Sequence, residues 1–409
     1  MRNKWAVLAF LCGIFVIYTV DRALLGLLAI PIQKETGLSD LKFGCLSSAI
    51  FWTYAIAVPF AGLAGDRFDR RRLIGLAVVT WSVMTILAGF AGGFWSLLLL
   101  VSFAIVVPQT VYSPSANALI ASLHKETRTI AMSCHQAAYY TGWFVSGAAV
   151  AGVLSLFGTW RAAFFTFGTV GVVIGLAFLA FSRGTVGATG GATAASKPKF
   201  KDSFKAFFGC RSALLLGVGY IAEVFVGYGY SVWGPKFVAL KFDISAATAG
   251  TGVMFWHYAA SFGAILLAGW LTDTLIRRFP RFRMALGIAS MAVSIPALAL
   301  FGLSPVLIWV WIASAVYGFT RGLFGANQFA AIFDVVAPVH RAGMIGFLNV
   351  LAGLIGSLSP ILLGWLSGRY GNRGFEIGFA AMGAVQAMAI VAFVTAFFFT
   401  FRKDRIEER

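Results

Sequence analysis

Four ionisable residues lie inside long apolar runs: Asp21, Arg22, Glu223 and Arg321. An ionisable residue at the centre of a bilayer span costs about 2.5–3.5 kcal/mol on insertion scales, so each needs a task or a partner. The chemistry open to them is narrow. A guanidinium can hold a carboxylate or phosphate through two parallel N–H donors, and a buried carboxyl can take up and release a proton. Asp21 and Arg22 are neighbours in sequence and cannot pair ideally with each other. Tyr18, Asp21, Arg22 and Leu25 have the i, i+3, i+4, i+7 spacing of one helix face. Arg22 is therefore read as an anion contact with Tyr18 beside it, and Asp21 as a proton site. The plainer alternative is a permanent salt bridge to another helix.

Arg321 shares a face with Tyr317, Phe324 and Gln328, and would supply a second positive contact. Glu223 forms a stripe with Tyr220, Gly227 and Tyr230 and is the second proton-coupling candidate. A plain Glu223–Arg321 ion pair is the alternative, and the two roles coexist if protonation breaks the pair. Asp334 falls near the end of its apolar run, where capping is as good a reading as function.

Polar but uncharged residues could complete a pocket. Gln136, Tyr139, Tyr140 and Trp143 share a face, with His135 beside it; Tyr and Gln can bond ligand oxygens while aromatic rings pack a carbon skeleton. Gln109, Tyr112, Asn117, His257, Asn327 and Asn349 are further lining candidates, against the alternative of ordinary interhelical hydrogen bonding. Trp256 fits core or pocket equally. The sequence has no G-x-x-x-x-G-K-[ST] loop, no H-E-x-x-H and no Cys/His cluster, so ATP drive, a metal and a cofactor are not expected. Cys12, Cys45, Cys134 and Cys210 have no paired spacing and suggest no disulfide framework.

These residues need elements that hold them in an apolar medium. The 409 residues are 59% hydrophobic and 11% charged, with a mean hydropathy of +0.85, too little polar surface for a soluble domain. About 20 apolar residues cross a bilayer core, and the backbone must then satisfy its own hydrogen bonds as helices or a closed barrel. Runs such as 97–107 and 165–181 are apolar on every face, which excludes alternating barrel strands. Twelve spans are predicted, at 5–31, 42–65, 73–93, 95–122, 130–156, 160–182, 211–238, 247–276, 283–303, 305–336, 343–369 and 374–401. No cleavable signal peptide is expected, because the first run is long and carries Asp21 and Arg22.

The net charge of +17 is topology rather than nucleic-acid binding. Most of the 32 Lys and Arg fall at the termini and in every second loop, at 67–72, 125–128, 183–211, 277–283, 341 and 402–409. That bias places both termini in the cytoplasm, with some contact to anionic lipid. The one long interruption, 183–210, begins Gly/Ala/Thr-rich like a linker. It ends in Lys199-Phe-Lys-Asp-Ser-Phe-Lys-Ala-Phe-Phe208, which suits a short helix in the headgroup layer. It separates an N-terminal six-helix bundle (1–182) from a C-terminal one (211–409).

The halves repeat. Gly62-Leu-Ala-Gly-Asp66 closes the second span and Gly269-Trp-Leu-Thr-Asp273 the eighth, each followed by arginines; Asn117 and Asn327 hold matching places in spans 4 and 10. Such a repeat implies a ligand near the midplane between halves. The stretch Gly62-Leu-Ala-Gly-Asp66-Arg67-Phe-Asp-Arg70-Arg71-Arg72 resembles the loop 2–3 signature of the major facilitator superfamily, departing from it with Asp69 where Gly is usual. The resemblance implies an all-α membrane protein with twelve transmembrane helices in two pseudo-symmetric six-helix bundles, functioning as a monomer. It also implies that Asp66, Arg67, Arg70 and, by the repeat, Asp273 gate rather than touch substrate.

Asp21-Arg22, His135-Gln-Ala-Ala-Tyr-Tyr-Thr-Gly142 and Gly318-Phe-Thr-Arg321-Gly-Leu-Phe-Gly-Ala-Asn327 resemble the anion:cation symporter group within that superfamily. Spinster-like transporters share the Asp-Arg pair. Their span-4 pattern R-x-x-x-G-x-x-E-x-x-Y, aligned on Tyr112, meets Ser102 and Gln109 here, so both charges are missing. The expectation is a secondary transporter of the inner membrane, not an enzyme. It would couple proton symport to a small organic anion such as a carboxylate, sugar acid or phosphorylated compound. Arg22, Arg321, Tyr18, Gln109, Tyr112, Gln136, Tyr139 and Asn327 would contact the solute, and Asp21 and Glu223 would couple the proton. Export of lysolipids or amphipathic compounds is the rival within transporters; a sensor or membrane enzyme is the rival outside them.

Overall fold

A computed structural model describes residues 4–182 and 200–406, with the side chains of 62–67, 200–203 and 342 outside that description. Among the described residues every regular element is helical. Among them, twelve helices are long and apolar enough to cross a membrane. Spans 1 to 6 are Lys4–Leu27, Asp40–Arg67, Arg70–Ala88, Phe94–Leu123, Arg128–Phe157 and Trp160–Ser182. Spans 7 to 12 are Arg211–Phe242, Ala246–Leu275, Phe282–Leu303, Leu307–Phe333, Pro338–Tyr370 and Asn372–Asp404. Large apolar side chains on them face outward, including Trp95, Leu156, Trp270 and Phe399. Water would penalise that surface and lipid does not.

Three elements refine the expected spans. The first apolar run does not stop near residue 31 but continues as a short helix, Ala29–Thr36, ended by Gly37. Span 4 opens into a π-helical stretch over Leu98–Ile105, a local widening that frequently marks functional segments. Span 11 breaks at Ser357 between Pro338–Gly356 and Leu358–Tyr370.

The chain forms two compact units. The first contains the first six spans together with Ser231–Phe255, the joined ends of spans 7 and 8; the second contains the rest of the described chain. This division departs from the sequence boundary at the linker. Ser231–Phe255 sits in the first unit because Lys236 reaches the Asp40 carboxylate and Gln33 Oε1 (2.7 Å), while Trp233 packs on Phe43. The linker residues 183–199 lie outside the described residues. The basic-aromatic segment after them is helical, Phe200–Gly209, and Phe204, Phe207 and Phe208 pack around Phe347 of span 11.

Within the first unit, span 3 packs extensively on span 6 and span 1 on span 5; in the second, span 9 packs on spans 10 and 12. The 3–6 and 9–12 pairs occupy matching places in the repeat. Spans 1 and 5 approach closely at Gly142, where a Cβ would fall 1.7 Å from Thr19 Oγ1 and 2.8 Å from the Val16 carbonyl. Only glycine allows that approach. At the end of span 3, Arg161 donates to Glu35 (2.6 Å) and to the carbonyls of Gly89 (2.6 Å) and Ala91 (3.0 Å). Its hydrogen bonds to Glu35, followed by that of the Trp160 indole, hold the Glu35 carboxyl below the usual range.

Candidate functional site

In the first unit, span 1 turns Asp21 and Arg22 toward span 4. Both line a cavity of about 20 Å³ with Gln109, Thr85, Ile105 and Phe164, room for about one water. Gln109 is buried, and neither its amide oxygen nor its amide nitrogen finds a partner. Both carboxylate oxygens of Asp21 are buried outside normal hydrogen-bond geometry, with the buried indole Nε1 of Trp81 facing them as a weak donor. Arg22 lays its guanidinium over the Tyr54 ring, 4.7 Å from the centroid, with Tyr18 and Phe51 farther off. That is a cation held by aromatic faces.

Behind this cluster lies an aromatic wall. Tyr18 stacks on Tyr112 (5.9 Å) and meets Trp81 edge-on; Phe15 stacks on His135 (4.4 Å) and touches Tyr139. The Tyr112 hydroxyl donates to the Leu11 carbonyl (2.6 Å) and lies 3.0 Å from His135 Nε2. Tyr112 and His135 therefore tie spans 1, 4 and 5 together. Gln136 does not join the cluster. It is exposed and lines a separate open pocket of about 560 Å³ with Asn117, Arg128 and Ser133. Ser102, at the place of the missing arginine, donates to the Leu46 carbonyl (3.1 Å) inside the π-helical stretch.

The second unit builds a different arrangement from span 7, span 10 and span 12. Glu223 Oε1 lies 3.6 Å from Arg321 Nε, and Glu223 Oε2 accepts from Gln386 Nε2 at 2.7 Å. Glu223 and Gln386 are buried, and Arg321 is 26% exposed in its side chain. Gly227 makes room for the guanidinium: a Cβ there would stand 2.4 Å from Arg321 Nη2. Farther along, Tyr230 of span 7, Tyr317 of span 10 and His257 of span 8 form a ring cluster with centroids 4.8–5.0 Å apart. The Tyr230 hydroxyl meets Ser314, while the Tyr317 hydroxyl and both His257 nitrogens are buried without partners. Asn327 is buried and accepts from Thr272 (3.0 Å), and Asn349 accepts from Tyr220 (2.6 Å). Trp256 is 45% exposed.

The side chains of Asp66 and Arg67 lie outside the described residues. Arg70 and Asp273 form no ion pair among the described residues. Their neighbour Arg71 is the buried one and reaches the Ser182 carbonyl at the end of span 6 (3.3 Å). Asp334 is a structural residue, gripped by Arg283 Nη1 at 2.8 and 2.9 Å. Residue spacing did not reveal Gln386 or Trp81. Each is a lone polar group in an apolar span, and a scan of uncharged donors beside the charged residues would have found them. No group of three or more His, Cys, Asp or Glu able to hold a metal occurs among the described residues.

A sequence model of the Major Facilitator Superfamily matches residues 10–328. A D-galactonate transporter of Escherichia coli O6:H1 is 25% identical over 96% of this chain and 96% of its own length. An MFS-type efflux pump of Mycolicibacterium smegmatis is 26% identical over 100% of this chain and 95% of its own. The crystal structure of a bacterial homolog of the human lysosomal transporter spinster, inward-facing and occupied, shares the fold with a TM-score of 0.87. It is 21% identical and covers 100% of both chains.

Proposed function

From the premise that this chain belongs to the Major Facilitator Superfamily and is a multi-pass membrane transporter, we propose that it carries a small organic anion of the sugar-acid class. Transport is by proton-coupled symport with alternating access, in the inner membrane, with both termini cytoplasmic and the protein acting as a monomer. Arg22 and Arg321 hold the anion's charge. Tyr18, Gln109 and Tyr139 contact its hydroxyls and carbon skeleton. Glu223 and Asp21 carry the proton.

The observation that carries this reading is the Glu223–Arg321 pair inside a span, with Gln386 on the second carboxylate oxygen. A proton taken by Glu223 removes the negative charge that occupies Arg321, and the guanidinium is then available to a substrate carboxylate. Proton and anion therefore enter together, and neither charge is left uncompensated in the apolar interior. The D-galactonate transporter's likeness over the whole chain supports an anionic sugar acid as cargo. The alternation of Lys and Arg between loops supports the orientation.

The test is a thermal-shift screen of the purified protein with sugar acids, simple carboxylates, phosphorylated metabolites and lysolipids. A ligand that binds the native state raises the melting temperature by mass action. Sugar acids are expected to do so, and Arg22→Ala and Arg321→Ala to lose the shift. The efflux-pump relative favours export of amphipathic compounds as the second reading. Stabilisation by lysolipids alone, or a sugar-acid shift that survives both substitutions, would replace the first reading with it.

A further inference from the structure

A second polar cleft lies apart from these sites, in the second unit, where the turn joining spans 8 and 9 meets the end of span 12. Arg278, Arg281, Arg402 and Arg405 line it, and its volume is about 750 Å³. Among the described residues none of the four makes an ion pair, and no acidic side chain lines the cleft. The contrast with Arg283, two residues beyond Arg281, is direct: that guanidinium is committed to Asp334. Glu407 and Glu408 follow in sequence, outside the described residues.

The cleft is built rather than incidental. Arg281 rests its guanidinium over the Phe397 ring, 5.2 Å from the centroid, which fixes the cation against an apolar wall. Arg402 and Arg405 flank an anchored segment, not a free tail. Asp404 Oδ2 accepts from the Ser212 backbone N–H (2.9 Å), and the Ile406 N–H donates to the Asp334 carbonyl (3.0 Å). Phe401 closes the floor, and on the same helix end Phe398 and Phe399 are 63% and 71% exposed. Four cations thus stand where an outward aromatic surface gives way to charged residues.

We propose that this cleft binds the headgroup of an anionic phospholipid, the four arginines taking the phosphodiester and the phenylalanines the start of its acyl chains. An anion with hydrocarbon attached fits best, because Phe279, Phe282, Phe397 and Phe401 line the cleft beside the arginines and Phe279 is 60% exposed. A basic pocket at a membrane surface is suited to that ligand. A free phosphate would use the arginines and leave the exposed Phe279 uncovered.

Native mass spectrometry of the full chain in neutral detergent tests this, with phosphatidylglycerol and phosphatidylcholine offered at equal concentration. Inorganic phosphate serves as the soluble competitor. Phosphatidylglycerol is expected to be retained preferentially, and each arginine removed should reduce that preference by about fivefold. The pair Arg281→Gln with Arg402→Gln should reduce it about twenty-fivefold, while Arg373→Gln, in another loop, leaves it intact. Melting curves of the variants, expected to match the native protein, separate lost binding from lost folding. Equal retention of the two lipids by the native protein, or a preference undiminished by the double substitution, would overturn the proposal. So would displacement by millimolar inorganic phosphate, which would assign the cleft to a soluble anion. None of these outcomes bears on the sugar-acid reading, which rests on other residues.

Discussion

The two halves carry the same kinds of charge inside their spans and treat them differently. In the second unit Glu223 is provided for: Gln386 bonds one carboxylate oxygen, Arg321 faces the other, and Gly227 leaves space for the guanidinium. In the first unit Asp21 shares a cavity with Arg22, yet its oxygens, the Gln109 amide and the Trp81 indole are buried without hydrogen bonds of normal geometry. A buried polar group without a partner costs free energy that a satisfied one does not. The contrast is therefore between the two carboxyls: Glu223 has an amide donor on Oε2 and a guanidinium facing Oε1, although Oε1 itself accepts no hydrogen bond, while neither oxygen of Asp21 has a hydrogen bond of normal geometry. In the proposed cycle that difference assigns the switch to Glu223 and the open site to Asp21.

The comparison breaks most sharply at Arg321. Arg321→Ala leaves Glu223 with Gln386 alone, and removing one partner of a buried pair costs about 3–5 kcal/mol. The melting temperature should fall by several degrees and uptake should drop to background. The double variant Glu223→Gln with Arg321→Gln should regain most of the stability and none of the transport. A double variant no more stable than Arg321→Ala would mean that the pair does not hold the second half together.

Gln386→Leu is the next largest. It removes a hydrogen bond to a charged group, worth about 1.5–3 kcal/mol, so chemical or thermal unfolding should report a smaller loss than at Arg321. Asp21→Asn sharpens the contrast, because no bond of normal geometry is lost. The stability loss should be smaller than that of Gln386→Leu, while the pH dependence of uptake flattens. A stability loss as large as that of Gln386→Leu would show that Asp21 has a structural partner after all. Gln136→Ala should do least. An exposed side chain outside the cluster is expected to change affinity by less than a factor of about two, well under the tenfold that 1.4 kcal/mol represents.

The fold was legible because bilayer thickness and charge write themselves directly into composition. Span 6 was expected at 160–182 and occupies Trp160–Ser182. Hydropathy is blind to what happens within a span, so the π-helical Leu98–Ile105 and the break at Ser357 left no trace in it. The candidate site was legible only as far as helical spacing reaches. The sequence placed Asp21, Arg22, Glu223 and Arg321 inside spans and offered the Glu223–Arg321 pair as one of two readings. It could not choose between Gln109 and Gln136, because spacing tells which residues share a face but not which way that face points. Arg71 and Lys236 escaped for a related reason: a basic residue at a span end reads as topology until its partner is seen.

The most direct test of the account is uptake of a labelled sugar acid, D-galactonate, into proteoliposomes holding the purified protein, with and without an inward proton gradient. Accumulation should depend on the gradient, vanish in Arg22→Ala and Arg321→Ala, and show a flattened pH dependence in Asp21→Asn. Accumulation indifferent to the gradient, or undiminished by removing either arginine, would contradict the proposed symport.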